Sequence, residues 1–337
     1  MSSLPVFVVR RLILSIPVVI GVAFITFLVA HVIVPDPVRA WVGLYTNPQI
    51  IASYTARYHL NDPLWLQFLY YIAGIATGNW GISPTTSRPV LSEIETYFPA
   101  TIELVLASVV LSFIIGVPLG AIAAVRNKKK TDLGIRALYL TGVSSPPFLA
   151  ALILQFLFAY FLKILPPIGE ISPTISPPKT ITGMMVIDSL LAGNLRAFFD
   201  TLDHLLLPTI ALTILVFGLF TRLSRSSMLE VLGKDYIRTA RAKGLGNSYS
   251  IVRHGLRTAL IPPVTILAVA VGQLLGGALV IENVFGWPGI GLYTVEAIQS
   301  SNFPDIVGVT LVFALGVVLS NLVADVAYAV LDPRIRL

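Results

Sequence analysis

The chain has 337 residues, of which 55% are hydrophobic and only 12% are charged. Soluble domains carry about 25% charged residues, so the composition excludes an ordinary soluble enzyme and points to an all-α polytopic membrane protein. The net charge of +6 reads as loop charge on the inner face of a bilayer rather than nucleic-acid affinity, and the lack of cysteine excludes disulfides, thiolate metal sites and cysteine nucleophiles.

Arg10 and Arg11 precede an apolar run from Leu12 to Val34. It exceeds the roughly 20 residues that span a bilayer and is too long for a cleaved signal. The arginines predict a cytoplasmic N-terminus, and residues 1–35 read as a tail plus first span. Residues 36–99 read as an extracytoplasmic region punctuated by Asn47-Pro48 and Asn61-Asp62-Pro63. Within it, Leu64 to Ala76 is apolar, aromatic and too short to cross, which predicts an interfacial helix.

The second span runs from Thr101 to Val125. The short basic run Arg126 to Asp132 then returns the chain inside. Leu133 to Phe161 forms a third span interrupted by Ser144-Ser145-Pro146-Pro147. Two prolines at mid-membrane remove backbone donors, and the freed carbonyls are tolerated only against protein or a water-filled cavity. Ser145 and Pro146 are therefore candidates for a pathway or gate. An outer loop, 163–204, is rich in proline and helical in its second half. Leu205 to Phe220 is a short fourth span.

A cytoplasmic loop, 221–258, follows. It contains Asp235-Tyr236-Ile237-Arg238-Thr239-Ala240-Arg241-Ala242-Lys243-Gly244-Leu245-Gly246. Acids and bases are interleaved, unlike a lipid-binding polybasic tract. Gly244 and Gly246 stop one helix, and Asn247 or Ser248 can cap another running to about Leu256. Helix, turn, helix is a shaped protrusion suited to a protein socket.

Ala259 to Ile281 is the fifth span. Gly272, Gly276 and Gly277 offer a face for close helix packing, and Gln273 beside them must find partners for its amide. The outer segment Glu282 to Asp305 contains Asn283-Val284-Phe285-Gly286-Trp287-Pro288-Gly289-Ile290-Gly291, a tight Gly/Pro turn. The sixth span, Ile306 to Val330, carries Asn321 and Asp325 one turn apart on one face. Asp325 reads as the one intramembrane acid, and with Gln273 and Asn321 it completes the pathway candidates. Six spans with both termini inside put 17 of the 23 Lys and Arg residues on the cytoplasmic side. The four histidines are scattered and no HExxH or GxxxxGK[ST] occurs, so catalytic residues, metal ligands and an ATP site of the chain's own are not expected.

The loop 235–246, continued through Val252-Arg253-His254-Gly255-Leu256 to Ala259-Leu260-Ile261-Pro262, resembles the coupling-helix loop of ABC-importer permeases. The branch it resembles is the dipeptide/oligopeptide (peptide/nickel) one, in its first-permease (B-type) form. Arg238-Thr239-Ala240 stands where that loop usually has Glu-Ala-Ala, Gly244 matches its glycine, and Pro262 closes a longer spacer. Tyr58-His59-Leu60-Asn61-Asp62-Pro63-Leu64-Trp65, Gly78-Asn79-Trp80-Gly81, Asp188 to Asn194, Asn283 to Gly291 and Asp332-Pro333-Arg334 extend the resemblance over nearly the whole chain. It implies a type I ABC importer permease fold with a core domain over 100–337. It also implies a second homologous permease, two ATPases that bind ATP and Mg, and an extracytoplasmic substrate-binding protein as partners. Coupling would fall to Arg238, Thr239, Ala240, Arg241, Ala242, Lys243, Gly244 and Leu245. The cargo implied is di- or oligopeptides, with oligosaccharides or nickel as alternatives. An ion-coupled secondary transporter is the alternative of a different class.

Overall fold

The computed structural model describes residues 4–29, 47–57, 59–246 and 249–331. The expected caps Asn247 and Ser248, the outer end of the first span and the closing Asp332-Pro333-Arg334 lie outside the described residues. In chain order the helices are α1 (Leu4–Leu28), α2 (Pro48–Arg57), α3 (Leu64–Ala76), α4 (Val90–Val125), α5 (Lys130–Ser144) and α6 (Pro147–Leu154). A wider turn carries α6 on to Phe161. Then come α7 (Met185–Leu191), α8 (Leu195–Leu232) and α9 (Asp235–Ala242), a lead-in from Ser250 to Thr265, α10 (Leu267–Phe285), α11 (Ile290–Gln299) and α12 (Phe303–Leu331). Among the described residues, five helical stretches are long and apolar enough to cross a membrane, and the bent pair α5–α6 makes up to six. The chain is a multi-pass membrane protein.

Counting the bent pair as one span gives the six expected from hydropathy, with different ends. The second begins at Val90 rather than Thr101, with Pro99 inside the helix. The fourth is 38 residues long, Leu195 to Leu232, rather than Leu205 to Phe220. Its polar entrance misled the hydropathy reading because those side chains are satisfied locally. Asn194 accepts a hydrogen bond from Ala197 N at 3.1 Å, the Asp200 carboxylate accepts from Ser172 N and Oγ, and His204 Nδ1 lies 2.8 Å from the Asp200 carbonyl. The helix can therefore start well before its apolar core. Pro17, Pro99, Pro118 and Pro208 all lie inside helices, as spans allow when neighbours re-satisfy the freed carbonyls.

The long helices α4 and α8 form the largest helix–helix interface. Gly116 and Gly120, one turn apart, make this possible. A methyl group on Gly116 would lie 2.7 Å from the Phe217 carbonyl, and one on Gly120 would collide with that of Thr221. The backbones touch because these side chains are absent. α10 and α11 close the core, and α12 packs on α10 while α1 lies against α12. The central cluster includes Leu104, Leu207, Leu212, Phe220, Leu275 and Trp287. At the outer edge of α1, Phe27 meets Phe68 of α3 edge-on at 5.3 Å.

The two basic loops lie at one end of this bundle. Arg225 of α8 forks onto Asp132 at the start of α5, with Nε to Oδ1 at 2.7 Å and Nη2 to Oδ2 at 2.9 Å, and Nη2 also reaches Asn127 Oδ1 at 3.0 Å. The same end holds a satellite cluster of Ala124, Met228, Val231, Ile237 and Ala259.

Candidate functional site

The loop after α8 is held as one piece with the bundle. Gly233 ends α8, and α9 follows after a single residue, Lys234. On α9, Ile237 is fully buried in the satellite cluster and Ala240 faces the same way. Tyr236, Arg238, Thr239 and Ala242 point outward. Lys243 N donates to Thr239 O at 3.0 Å and Leu245 N to Ala240 O at 3.3 Å, with Gly244 at φ +81°. This is the Schellman arrangement, in which a left-handed glycine returns the last donors to the helix. Lys243, Gly244 and Leu245 form its exposed tip.

The residues expected to form a contact face point in different directions. Ala240 is turned into the protein's own core and is not available to a partner, whereas Thr239 and Ala242 supply small outward positions between Arg238 and Lys243. Arg241 continues the helix. The Arg238 guanidinium lies 3.6 Å from Asp235, both almost fully exposed, a pairing too solvated to hold either charge in place. Beyond the turn, Gly255 packs on Met228, where a methyl group would lie 3.3 Å from the Met228 Cε. α9, the end of α8 and the lead-in to α10 therefore share one buried cluster.

The third span breaks where the prolines predict. Ser145 and Pro146 are extended, with ψ of 133° and 134°, and the halves meet at 104°. The Ser145 hydroxyl donates back to the Thr141 carbonyl at 2.8 Å, and Pro146 is exposed.

The five pathway candidates do not converge. Asn321 and Asp325 line a cavity of about 660 Å³ between α1, α10 and α12, together with Arg11, Ser15, Gly272 and Gly276. Ser145 and Pro146 lie elsewhere, and Gln273 is exposed on α10 outside that cavity. Of the three glycines of α10, Gly272 makes the close approach, with a methyl group there meeting Ser320 Cβ at 3.0 Å, while Gly276 opens onto the cavity. Arg11 Nη1 lies 3.0 Å from Asp325 Oδ2. Asp325 is thus paired.

Asp325 is also not alone as an acid within a spanning helix. Glu103, Glu282 and Asp305 are nearly or fully buried, Glu282 and Asp305 near the ends of their helices and Glu103 well inside α4. Glu103 accepts from Met185 N and Val186 N, the first turn of α7, at 3.1 and 2.9 Å. Glu282 accepts from Gly291 N at 2.6 Å and Leu292 N at 3.1 Å, the first turn of α11. Carboxylates fit helix N-termini, where unpaired N–H groups collect. These carboxylates therefore staple short outer helices to long spans. The signal in the sequence was an acid beside a Gly/Pro turn: the run Asn283 to Gly291 exists because Gly289 and Gly291 leave room for the Glu282 carboxylate. Outside the spans, Asp188 does the same for the outer loop. Burial opposes its ionisation, but bonds from Ile181 N, Thr182 N and Oγ1, and Gly183 N keep its carboxyl below the usual range.

Two family descriptions match the chain. Residues 4–105 match the N-terminal part of binding-protein-dependent transport system membrane components, and residues 116–337 match the binding-protein-dependent transport system inner membrane component. Curated relatives align end to end. The probable D,D-dipeptide transport system permease protein DdpB of Escherichia coli K12 is 42% identical over 94% of both chains. The dipeptide transport system permease protein DppB of Alkalihalophilus pseudofirmus is 41% identical over 98% of this chain and 99% of its own. The glutathione transport system permease protein GsiC of Salmonella typhimurium is 35% identical over 98% of each. With a helical hook rooted in the bundle, a proline-broken third span and this likeness along its length, the chain belongs to the inner membrane permease components of binding-protein-dependent ABC transport systems.

Proposed function

We propose that the chain is one of two permease subunits of an ATP-driven importer for di- and oligopeptides, with both termini and the loop 221–258 in the cytoplasm. It pairs with a second, homologous permease, two ATPase subunits that bind ATP and Mg, and an extracytoplasmic substrate-binding protein. The cargo rests on relatives whose names specify D,D-dipeptides, dipeptides and glutathione. The orientation rests on the Lys and Arg bias.

The observation that carries the coupling role is the rooting of α9 through Ile237 in the cluster shared by α8 and the lead-in to α10. Arg238 and Lys243 face outward to pair with acids lining an ATPase groove. When the ATPases close on ATP, α9 moves with them, and α4, α8 and α10 follow as a body. The Arg11–Asp325 pair weighs against the ion-coupled alternative, since a carboxylate paired with arginine is a poor proton carrier.

The test is ATP-driven uptake of a labelled dipeptide into proteoliposomes holding the assembled complex. Gly244→Glu and Arg238→Glu, at an exposed position, are expected to abolish or sharply lower uptake while the subunits stay folded. Wild-type uptake and wild-type ATPase recovery in both variants would refute the coupling role. Uptake of oligosaccharide or nickel in place of peptide would refute the cargo.

A further inference from the structure

Ser224 and Arg225, adjacent on α8, each tie that helix to a different span. Ser224 Oγ donates to the Val117 carbonyl of α4 at 2.9 Å. Arg225 forks onto both carboxylate oxygens of Asp132 in the first turn of α5, and its Nη2 also reaches Asn127 in the loop that joins α4 to α5. Lys128 N completes the shell of Asp132 at 3.0 Å. The Asp132 side chain is only 3% exposed. The pair is bidentate and largely out of water, and losing one partner would strand a buried charge.

α5 rests on α8 and α4 through a narrow seam. Asp132 and Ile135 are its buried residues, and Tyr139 and Gly142 are half-buried along the same stripe. Leu133, Leu138, Leu140 and Val143 are exposed. The far end of the seam is a close approach of backbones. A methyl group on Gly142 would lie 3.3 Å from the Ile214 carbonyl, and one on Gly218 would lie 3.3 Å from that of Tyr139. α5 is thus fixed along α8 by two glycines near the break and by one charge pair at its start. Past Ser145 and Pro146 the partners change. α6 packs against α8 and α10. In the wider turn that follows, Gln155 Nε2 donates to the Val284 carbonyl, in the last turn of α10, at 3.1 Å and to the Pro167 carbonyl at 2.9 Å.

We propose that Arg225 and Asp132 are positioning residues that carry the movement of α9 into the third span. The proposal rests on the importer reading above. Arg225 sits two turns before α8 ends and gives way to α9, so a displacement of α9 reaches this fork before it reaches most of α8. A planar, two-point contact transmits orientation as well as distance, which a single point charge does not. Ser145 and Pro146 belong to neither α5 nor α6. They take up the difference between an inner half that follows the end of α8 and an outer half bonded to the end of α10, as hinge residues at helix ends do. The third span is in this way a jointed arm, driven at Asp132 and anchored at Gln155.

The experiment measures peptide uptake and ATP hydrolysis together in proteoliposomes holding the complete transporter. Arg225→Gln and Asp132→Asn are each expected to raise the ATP spent per peptide about fivefold or more. The double variant is expected to go no further than either single one, because both remove the same link. A pair that only braced the fold would lower uptake and hydrolysis together and leave their ratio unchanged. Where the variants fail to assemble, the parent decides. The chain has no cysteine, so spin labels can be placed at Ala137→Cys with Ser226→Cys, across the seam, and at Ala137→Cys with Phe161→Cys, across the break; all three positions are exposed. Between the nucleotide-free and ATP-trapped states, the distance across the seam is expected to hold and the distance across the break to change. An unchanged ratio in variants that assemble, a seam that moves as much as the break, or a break that stays fixed would overturn the proposal and leave the importer reading intact. If the parent complex took up no peptide with ATP, both would fall.

Discussion

Glu282 and Thr101, 181 positions apart in sequence, meet at 2.7 Å in a buried hydrogen bond. The Thr101 hydroxyl donates to Glu282 Oε1 and accepts from Ile290 N at 2.8 Å, while Glu282 Oε2 takes the next two N–H groups of α11. One threonine and one glutamate thus satisfy the whole first turn of a helix and pin it to α4. Trp287 adds to the lock by donating to the Ala100 carbonyl at 2.9 Å.

Glu282→Ala is therefore expected to lower stability by about 3 kcal/mol, because two buried N–H groups and the Thr101 hydroxyl lose their acceptor. Glu282→Gln keeps one carbonyl acceptor and is expected to cost less. Unfolding in detergent followed by the fluorescence of Trp287, fully buried in the same lock, would read the difference. An alanine variant as stable as the parent would show that the outer lock is dispensable.

The spans and the hook were legible in the sequence because hydropathy and basic loops act locally. Ser145-Pro146 marked its break for the same reason: proline acts on its own backbone. The seat of α9 was only half legible. Its glycine stop could be read, but the direction of Ala240 depends on Ile237 finding Met228 and Val231, and single-sequence spacing does not show which face of a short helix meets the bundle. Apart from the acid beside the Gly/Pro turn, the carboxylate staples were illegible for a related reason. Glu103, Glu282 and Asp305 look like costly acids until their partners arrive from segments some ten to two hundred positions away. The same applies to the polar entrance of α8, read as a helical part of the outer loop because its partners, such as Ser172 on Asp200, come from outside the helix.

Glu170 in the outer loop supplies a pH dependence. Burial pushes its carboxyl up to about 8, and the charges of Glu103 and Asp188 push in the same direction. The folded state therefore holds a proton that the unfolded chain releases near its ordinary value of about 4.3. Its contribution is unpenalised below that value and becomes unfavourable as pH rises towards 8. Asp188 has the opposite sign, since its depressed value lends stability above the ordinary aspartate range that is lost on acidification. The segment around Glu170 is expected to exchange its amide hydrogens more readily, after correction for intrinsic rates, at pH 9 than at pH 6. Glu170→Gln is expected to remove that difference. An identical profile in parent and variant would assign the pH dependence elsewhere.

The Arg11–Asp325 pair makes the last prediction. Both side chains are partly exposed, at 48% and 31%, so the contact is worth about 1 kcal/mol or less. Asp325→Asn removes the charge but leaves a side chain of the same size in the cavity with Asn321. In an importer driven by ATP at the far end of α9, this change is expected to leave peptide uptake within about twofold of the parent, and an uncoupler is expected to leave uptake unchanged while ATP is supplied. An ion-coupled carrier behaves in the opposite way: a carboxylate inside the membrane carries the driving ion, so its neutralisation stops transport and an uncoupler collapses it. Uptake in vesicles of the Asp325→Asn variant, with and without ATP and with and without uncoupler, separates the two. Loss of uptake in that variant together with collapse under the uncoupler would move the energy source from α9 to the cavity between α1, α10 and α12.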